Sequence, residues 1–202
     1  TLEEEVNAIA SKEISNNPGK EFFYGSYGLN IAARICEVVG KKTFERLMQE
    51  RITRPLRMRA TSFANDNGNA PNPSGGAKST ANDYMNFLTM ILNKGLFEGK
   101  TILSTTAIDE MQKVQIADLP IKYTPKVAEG FEYGLGEWIQ EKNSTGMATV
   151  VSSPGLFGTW PYVDNCRKYA AIIFVKTLLG EHKKDIALQF KELVDEQVGE
   201  CK

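Results

Sequence analysis

The sequence has one histidine and three cysteines, and neither residue type occurs in a metal-binding pattern. His182 lies in the charged run 180–184, which is typical of a solvated helix start. A Ser-His-Asp or Cys-His mechanism would need this histidine as its base, so both mechanisms are disfavoured. No C-x-x-C spacing occurs, which argues against a zinc site. Cys36, Cys166 and Cys201 fit either one disulfide with one free thiol or three free thiols, and we expect three free thiols. We expect no metal and no cofactor.

Long apolar runs and an excess of one charge are also absent. No uninterrupted run reaches the roughly 20 residues that span a bilayer. The 24 Lys and Arg residues are matched by 25 Asp and Glu residues, so the chain has no field that would attract nucleic acid or an anionic membrane. The sequence opens at Thr1 with neither Met nor a signal peptide, which predicts a processed or excised piece of a longer protein.

Hydrophobic residues make up 42% of the chain and charged residues 24%, which is typical of a globular protein. Apolar residues recur at helical spacing in the first part, and from residue 133 short runs separated by turn residues indicate antiparallel strands. We predict an α+β fold, with a helical region at 1–130 and strands plus a C-terminal helix at 131–202. Six helices are predicted: 2–11, one through Ile31, Ile35, Val38 and Val39, one from Phe44 to Ile52, one that begins at Thr80, 105–113, and one through Ile186, Phe190, Leu193, Val194 and Val198. Four strands are predicted: 133–140, 147–153, 158–164 and 168–177.

Tyr24, in a loop just before a predicted helix, is the first candidate for chemistry. A phenol has a pKa of about 10 and is a poor base at neutral pH unless nearby cations favour the phenolate. Taken alone, Tyr24 is therefore more often an ordinary half-buried tyrosine than a catalytic one.

Five segments in order resemble the penicillin-recognising serine hydrolases, the family of serine β-lactamases, DD-peptidases and related esterases. Tyr24-Gly25-Ser26 resembles the Tyr-x-Asn motif, and residues 52–63 resemble a segment of the form I-x-x-P-L-G-M-x-x-T-x-F. Residues 75–83 resemble G-G-x-x-S-T-x-x-D, and residues 95–104 and 133–136 also fit. The resemblance covers nearly the whole chain. It implies a β-lactamase/transpeptidase-like fold whose N-terminal strands and nucleophile helix are absent from this chain.

The family's third motif, Lys-Thr-Gly or His-x-Gly, matches Ser153-Pro154-Gly155. The resemblance implies that the N–H of Leu156 is an oxyanion-hole donor, a type of group that contributes about 3 kcal/mol to transition-state stabilisation. It also places Pro154, Gly155 and Trp160 against the substrate. Without the upstream matches, the same residues are an ordinary turn at a strand end.

The family's nucleophile, the serine of Ser-x-x-Lys, has no counterpart, because no serine in the chain is followed by a lysine three residues later. In the family's order this motif precedes Tyr24, so we expect it on an upstream segment of the same protein, which would be a partner of this chain.

Two motif positions within the chain also depart from the family. Ser26 stands where Asn is common, and it cannot present an amide's carbonyl and NH₂ together. Ser153 stands where Lys or His is common, which removes a cation that would bind a substrate carboxylate and lower the pKa of the tyrosine. The second change favours an ester or amide without a carboxylate as the substrate.

The sequence is compatible with three functions. The first is a serine hydrolase that acts on a small-molecule or peptide substrate through an acyl-serine intermediate, with Tyr24, Ser26, Ser153 and Leu156 in its catalytic site. The second is a non-catalytic relative that keeps the cleft for binding, and the third is an unrelated α+β binding domain. The family implies a periplasmic or extracellular location, although the chain has no targeting segment that would show it.

Overall fold

The computed structural model describes residues 1–14, 16–64, 71–177 and 183–201, and it confirms the α+β architecture. Helices dominate the first part of the chain, a five-stranded sheet follows, and a long helix closes the described part. The helices are α1 (Leu2–Ala10), α2 (Tyr27–Gly40), α3 (Phe44–Met48), α4 (Ala81–Leu92), α5 (Thr105–Met111) and α6 (Lys183–Val198), with a π-helical turn at Gln49–Thr53 and a 3₁₀ turn at Lys126–Ala128. The strands are β1 (Phe22–Phe23), β2 (Leu96–Phe97), β3 (Lys100–Thr101), β4 (Ile121–Tyr123), β5 (Glu132–Tyr133), β6 (Trp138–Lys142), β7 (Ala148–Ser152), β8 (Trp160–Asp164) and β9 (Tyr169–Ile173).

Helix α4 begins at a side-chain cap, as the sequence predicts. The Thr80 hydroxyl accepts a hydrogen bond from the Asp83 N–H at 3.2 Å, which satisfies one of the free donors in the first turn. The Asp83 carboxylate does not return to the cap. It instead accepts from the Ala60 N–H and from the Thr61 hydroxyl, both at 2.8 Å, so this carboxylate holds the preceding loop against the helix.

The five-stranded sheet is antiparallel throughout, in the order β5-β6-β7-β8-β9. The predicted strand 133–140 is in fact two strands, because the segment between Tyr133 and Trp138 makes a tight turn. At Gly134, a Cβ atom would lie 2.1 Å from the Met111 carbonyl oxygen, so any larger residue would force this turn away from α5. The predicted hairpin turn at 143–146 is confirmed, and the Asn143 side chain accepts from the Thr145 and Met147 N–H groups, each at 3.0 Å.

Two apolar clusters sandwich the sheet. On one face, Leu88 and Ile91 of α4 pack with Ile139, Val151 and Val163 of the sheet. On the other face, Trp160 and Tyr162 of β8 pack with Val127 and with Ala187 of α6. Alternate residues of a strand point to opposite faces, and this explains how one sheet serves both layers. The boundary near residue 130 stays a prediction.

A buried charged cluster fixes the far end of β8 to α6. Asp164 is fully buried and accepts from the N–H groups of Cys166 and Arg167, at 2.9 and 2.7 Å, and from the Arg167 guanidinium at 3.1 Å. Its other contact is Lys191 of α6, whose ammonium lies 3.5 Å from Asp164 and 2.7 Å from Asp195. Lys191 is itself only 5% exposed, so these ions are desolvated and depend on one another.

Cys166 and Cys201 form a disulfide, and Cys36 is a free, exposed thiol. The expectation of three free thiols was therefore wrong. Nothing in the sequence signals the pairing, since 35 residues separate the two cysteines. They meet because α6 returns along the sheet and delivers the C-terminal residues to the β8–β9 turn. His182 lies outside the described residues.

Several apolar surfaces are exposed. Ile35, Val38 and Val39 of α2 are 58%, 61% and 79% exposed, so the predicted helix is confirmed but its apolar face is uncovered by the described part of the chain. Strand β9 pairs only with β8 among the described strands, and Ile186 and Leu193 of α6 are also exposed. No helix in the described ranges is long and apolar enough to cross a membrane.

We predict that Asp164→Ala destabilises the full-length protein by about 3 kcal/mol or more, because it leaves buried donors and the Lys191 charge short of a partner. Urea unfolding measures the change. The matched control is Asp109→Ala, whose carboxylate pairs with Lys94 at the surface and which should cost less than about 1 kcal/mol. Equal losses in the two variants would contradict the role assigned to Asp164.

Candidate active site

Tyr24 is positioned by a short parallel ribbon of two strands. β1 pairs with β4, and directly after it the Tyr24 N–H donates to the Tyr123 carbonyl at 3.0 Å. The phenol ring of Tyr24 packs against Trp138, with ring centroids 5.1 Å apart, and edge-on against Tyr133 at 5.8 Å. Because Trp138 is only 3% exposed, it gives Tyr24 a rigid backing.

Trp138 links Tyr24 to the end of β7. In the β6–β7 ladder Trp138 lies directly opposite Ser152, and Ser152 is followed at once by Ser153-Pro154-Gly155. The structure therefore brings the Tyr24 stretch and the third-motif stretch to one end of the sheet. Neither Trp138 nor Ser152 is among the residues proposed from sequence. The only signal that could have found Trp138 is its place two residues after the Tyr133–Gly136 segment.

The loop after β7 is held by its own backbone. The Gly155 N–H donates to the Thr159 carbonyl at 2.8 Å, and the Gly158 N–H donates to the Gly155 carbonyl at 2.9 Å. Ser153, Pro154 and Gly155 are half-buried, whereas Leu156 is 69% exposed. The Leu156 N–H donates to no group in the described part of the chain, so it is free to bind an external acceptor.

Ser26 and Trp160 occupy different settings. Ser26 is exposed at the N-cap of α2, and its side chain makes no capping hydrogen bond. Trp160 is 1% exposed and packs on Tyr162 within the cluster beneath α6. A side chain enclosed to that extent is a packing residue of this chain, and its burial argues against the substrate contact expected from sequence.

The environment of Tyr24 keeps its phenol protonated. Burial raises the pKa of Tyr24 above its ordinary value of 10, and the nearby Tyr123 adds to the increase. No lysine or arginine in the described residues donates a hydrogen bond to the phenol oxygen. At neutral pH the group is therefore a hydrogen-bond donor rather than a base, unless a cation from outside the described residues approaches it.

Glu137, the residue before Trp138, is a second perturbed group. Its Oε2 atom is buried without a hydrogen-bond partner in the described structure. Burial raises its pKa from 4.5 to about 7, and Gln112 and Lys94 oppose the increase only in part. The described residues contain no group of His, Cys, Asp or Glu side chains arranged to hold a metal ion.

A family model described as Beta-lactamase matches residues 2–194. The chain belongs to the beta-lactamase family. Among solved structures, it is 34% identical to a "putative beta-lactamase from Bacteroides dorei DSM 17855", with a TM-score of 0.84, over 98% of this chain and 64% of that one. A search of curated proteins finds no match.

More distant structures share the fold alone. A penicillin-binding protein from Bacillus halodurans is 13% identical with a TM-score of 0.70, over 94% of this chain and 62% of that chain. EstCE1, a hydrolase with promiscuous acyltransferase activity, is 16% identical with a TM-score of 0.73, over 96% and 61%. This chain thus spans less than two thirds of the length of each of these three proteins, and it has the fold of a serine hydrolase family.

We predict that Glu137→Gln stabilises the protein at about pH 8 and has little effect at about pH 4.5. The folded state raises this pKa, so wild-type stability falls as pH rises from about 4.5 to about 7, by up to about 3 kcal/mol for this group. The neutral amide removes that dependence. Urea unfolding of both proteins at the two pH values measures the change in the free energy of unfolding. An equal gain in stability at both pH values would show that the buried carboxyl is not the source of the pH dependence.

Proposed function

We propose that this chain is the larger part of a serine hydrolase that acts on an ester or amide through an acyl-serine intermediate. The observation that carries the proposal is the packing of Tyr24 against Trp138, because Trp138 lies opposite Ser152 at the end of β7. The proposed site combines the Tyr24 phenol with the N–H of Leu156, which lies in the loop after Ser152 and makes no hydrogen bond in the described residues. These are groups of the kind that acyl transfer needs, a proton carrier and an oxyanion donor. The nucleophile and its lysine would come from an upstream segment of the same protein.

The lysine of that segment would also alter Tyr24. Burial holds the phenol protonated in the described structure, and a neighbouring ammonium would lower its pKa and let it share the proton transfers. The Leu156 N–H would stabilise the oxyanion. Ser153 supplies no positive charge to bind a carboxylate, so the substrate would be an ester or amide that lacks one.

The disulfide bears on the compartment that we propose. Disulfides such as Cys166–Cys201 persist where the surroundings are oxidising. This supports the periplasmic or extracellular location that the family implies.

A second candidate function is a non-catalytic binding protein with the same cleft. Ser26 and Ser153 at motif positions favour it, as does the lack of a cation bonded to Tyr24 within the described residues. The coding sequence upstream of Thr1 decides between the two. A protein without Ser-x-x-Lys there cannot follow the acyl-serine mechanism proposed above.

We predict that Tyr24→Phe slows acylation of the full-length protein by about 10²-fold or more, because it removes the proton carrier and keeps the ring packing. The rate of labelling by an active-site serine probe measures the effect. Tyr27→Phe is the matched control, since it removes an exposed phenol at the start of α2 and should leave the rate unchanged. Unaltered labelling and turnover in Tyr24→Phe would exclude the role given to Tyr24.

We also predict that residues 1–202 alone aggregate or unfold. The edge of β9 that no described strand pairs with, and the apolar faces of α2 and α6, would then stay open to solvent and to other chains. Size-exclusion chromatography and a thermal melt followed by circular dichroism test this. A monodisperse chain with a cooperative melt would show that these surfaces need no cover.

A further inference from the structure

A cavity of about 290 Å³ lies beside the π-helical turn, and it shares no residue with the candidate active site. Its wall is mostly polar and carries two positive charges. The lining residues are Gln49, Thr53, Arg54, Met58, Arg59 and Thr61.

Local backbone geometry assembles this wall. The Arg54 N–H donates to the Gln49 carbonyl at 3.1 Å, five residues back, and such π turns are often found at functional sites. The chain then reverses, and the Met58 N–H donates to the Thr53 carbonyl at 2.7 Å. The reversal passes through Arg57 in the left-handed conformation, with φ of 57°, and it brings Arg54 and Arg59 to one cavity.

Three polar side chains of the cavity, those of Thr53, Arg54 and Arg59, have no protein partner in the described structure. The other two are paired, since the Gln49 amide donates to Glu45 at 3.1 Å and the Thr61 hydroxyl donates to Asp83 at 2.8 Å. Thr53 is 4% exposed, yet its hydroxyl makes no hydrogen bond in the described structure. The guanidinium groups of Arg54 and Arg59 likewise contact no carboxylate there. Most other arginines are paired: Arg34 with Glu37, Arg46 with Glu50, Arg57 with Glu98 and Arg167 with Asp164.

Two carboxylates contact residues at the cavity, Glu45 through Gln49 and Asp83 through Thr61, and neither pairs with Arg54 or Arg59 in the described structure. Asp83 is 8% exposed, and its Oδ2 atom is taken by the Ala60 N–H and the Thr61 hydroxyl. Two unpaired guanidinium groups and the Thr53 hydroxyl therefore remain as donors, whereas the Gln49 amide already donates to Glu45.

We propose that this cavity binds a phosphate group, either that of a small-molecule phosphate ester or the free phosphate ion. A phosphate monoester carries close to two negative charges at neutral pH, which matches the charge of the two guanidinium groups. Each guanidinium presents its N–H donors in a planar fork, a geometry that suits two oxygens of one phosphate. The Thr53 hydroxyl would donate to a third oxygen.

Isothermal titration of the full-length protein with inorganic phosphate and with glycerol 3-phosphate tests the proposal, at constant ionic strength set with chloride. We expect saturable binding that Arg54→Ala and Arg59→Ala each weaken by about tenfold or more, and that Thr53→Val weakens by about threefold. A thermal melt of each variant without ligand confirms that it is folded.

Arg51→Ala is the matched control, because Arg51 lies on the same turn, is exposed and does not line the cavity. It should leave the affinity unchanged. Tighter binding of glycerol 3-phosphate than of inorganic phosphate would identify a phosphate ester as the ligand, and equal or tighter binding of inorganic phosphate would identify the free ion. Absence of saturable binding for both probes, or an equal loss in Arg51→Ala, would overturn the proposal.

Discussion

The burial of Asp164 is the constraint on which the described sheet most depends. One fully buried carboxylate orders the β8–β9 turn through two backbone N–H groups and anchors α6 through Lys191. The cost of removing these charges from water is offset only while every partner is present. Strand β8 in turn supports β7, and the end of β7 lies opposite Trp138, which backs Tyr24. The position of the phenol is therefore coupled to a charged cluster farther along the sheet.

Much of the fold was predictable because its signals are local. Helical spacing, the Thr80 cap and the 143–146 turn each depend on a few neighbouring residues, and all three are confirmed. Within the five-stranded sheet, the strand pattern failed between Tyr133 and Trp138, where the close approach of Gly134 to the Met111 carbonyl forces a turn. The pattern also missed the short strands β1 to β4, which are only two or three residues long and lie in the part predicted to be helical.

What the sequence could not supply depends on distant contacts. Spacing indicates that Ile35 and Val38 lie on one helix, but not whether another element covers them. The pairing of Cys166 with Cys201 follows from the path of α6 and has no local signal. Tyr24, Ser153 and Leu156 were proposed from ordered motifs, and their roles stay predictions. Trp138 and Ser152 emerged only from the strand register, and the burial of Trp160 only from the packing of β8 beneath α6.

The Cys166–Cys201 disulfide makes β9 and α6 parts of a closed covalent ring. A protease that cuts the backbone once anywhere between these cysteines leaves a single molecule, since the two fragments remain joined through sulfur. The helix that covers one face of the sheet can then dissociate no farther than the bond allows. In an extracellular setting rich in proteases, a single cleavage within the ring would leave α6 attached to the sheet. The two fragments would separate only after the disulfide is reduced.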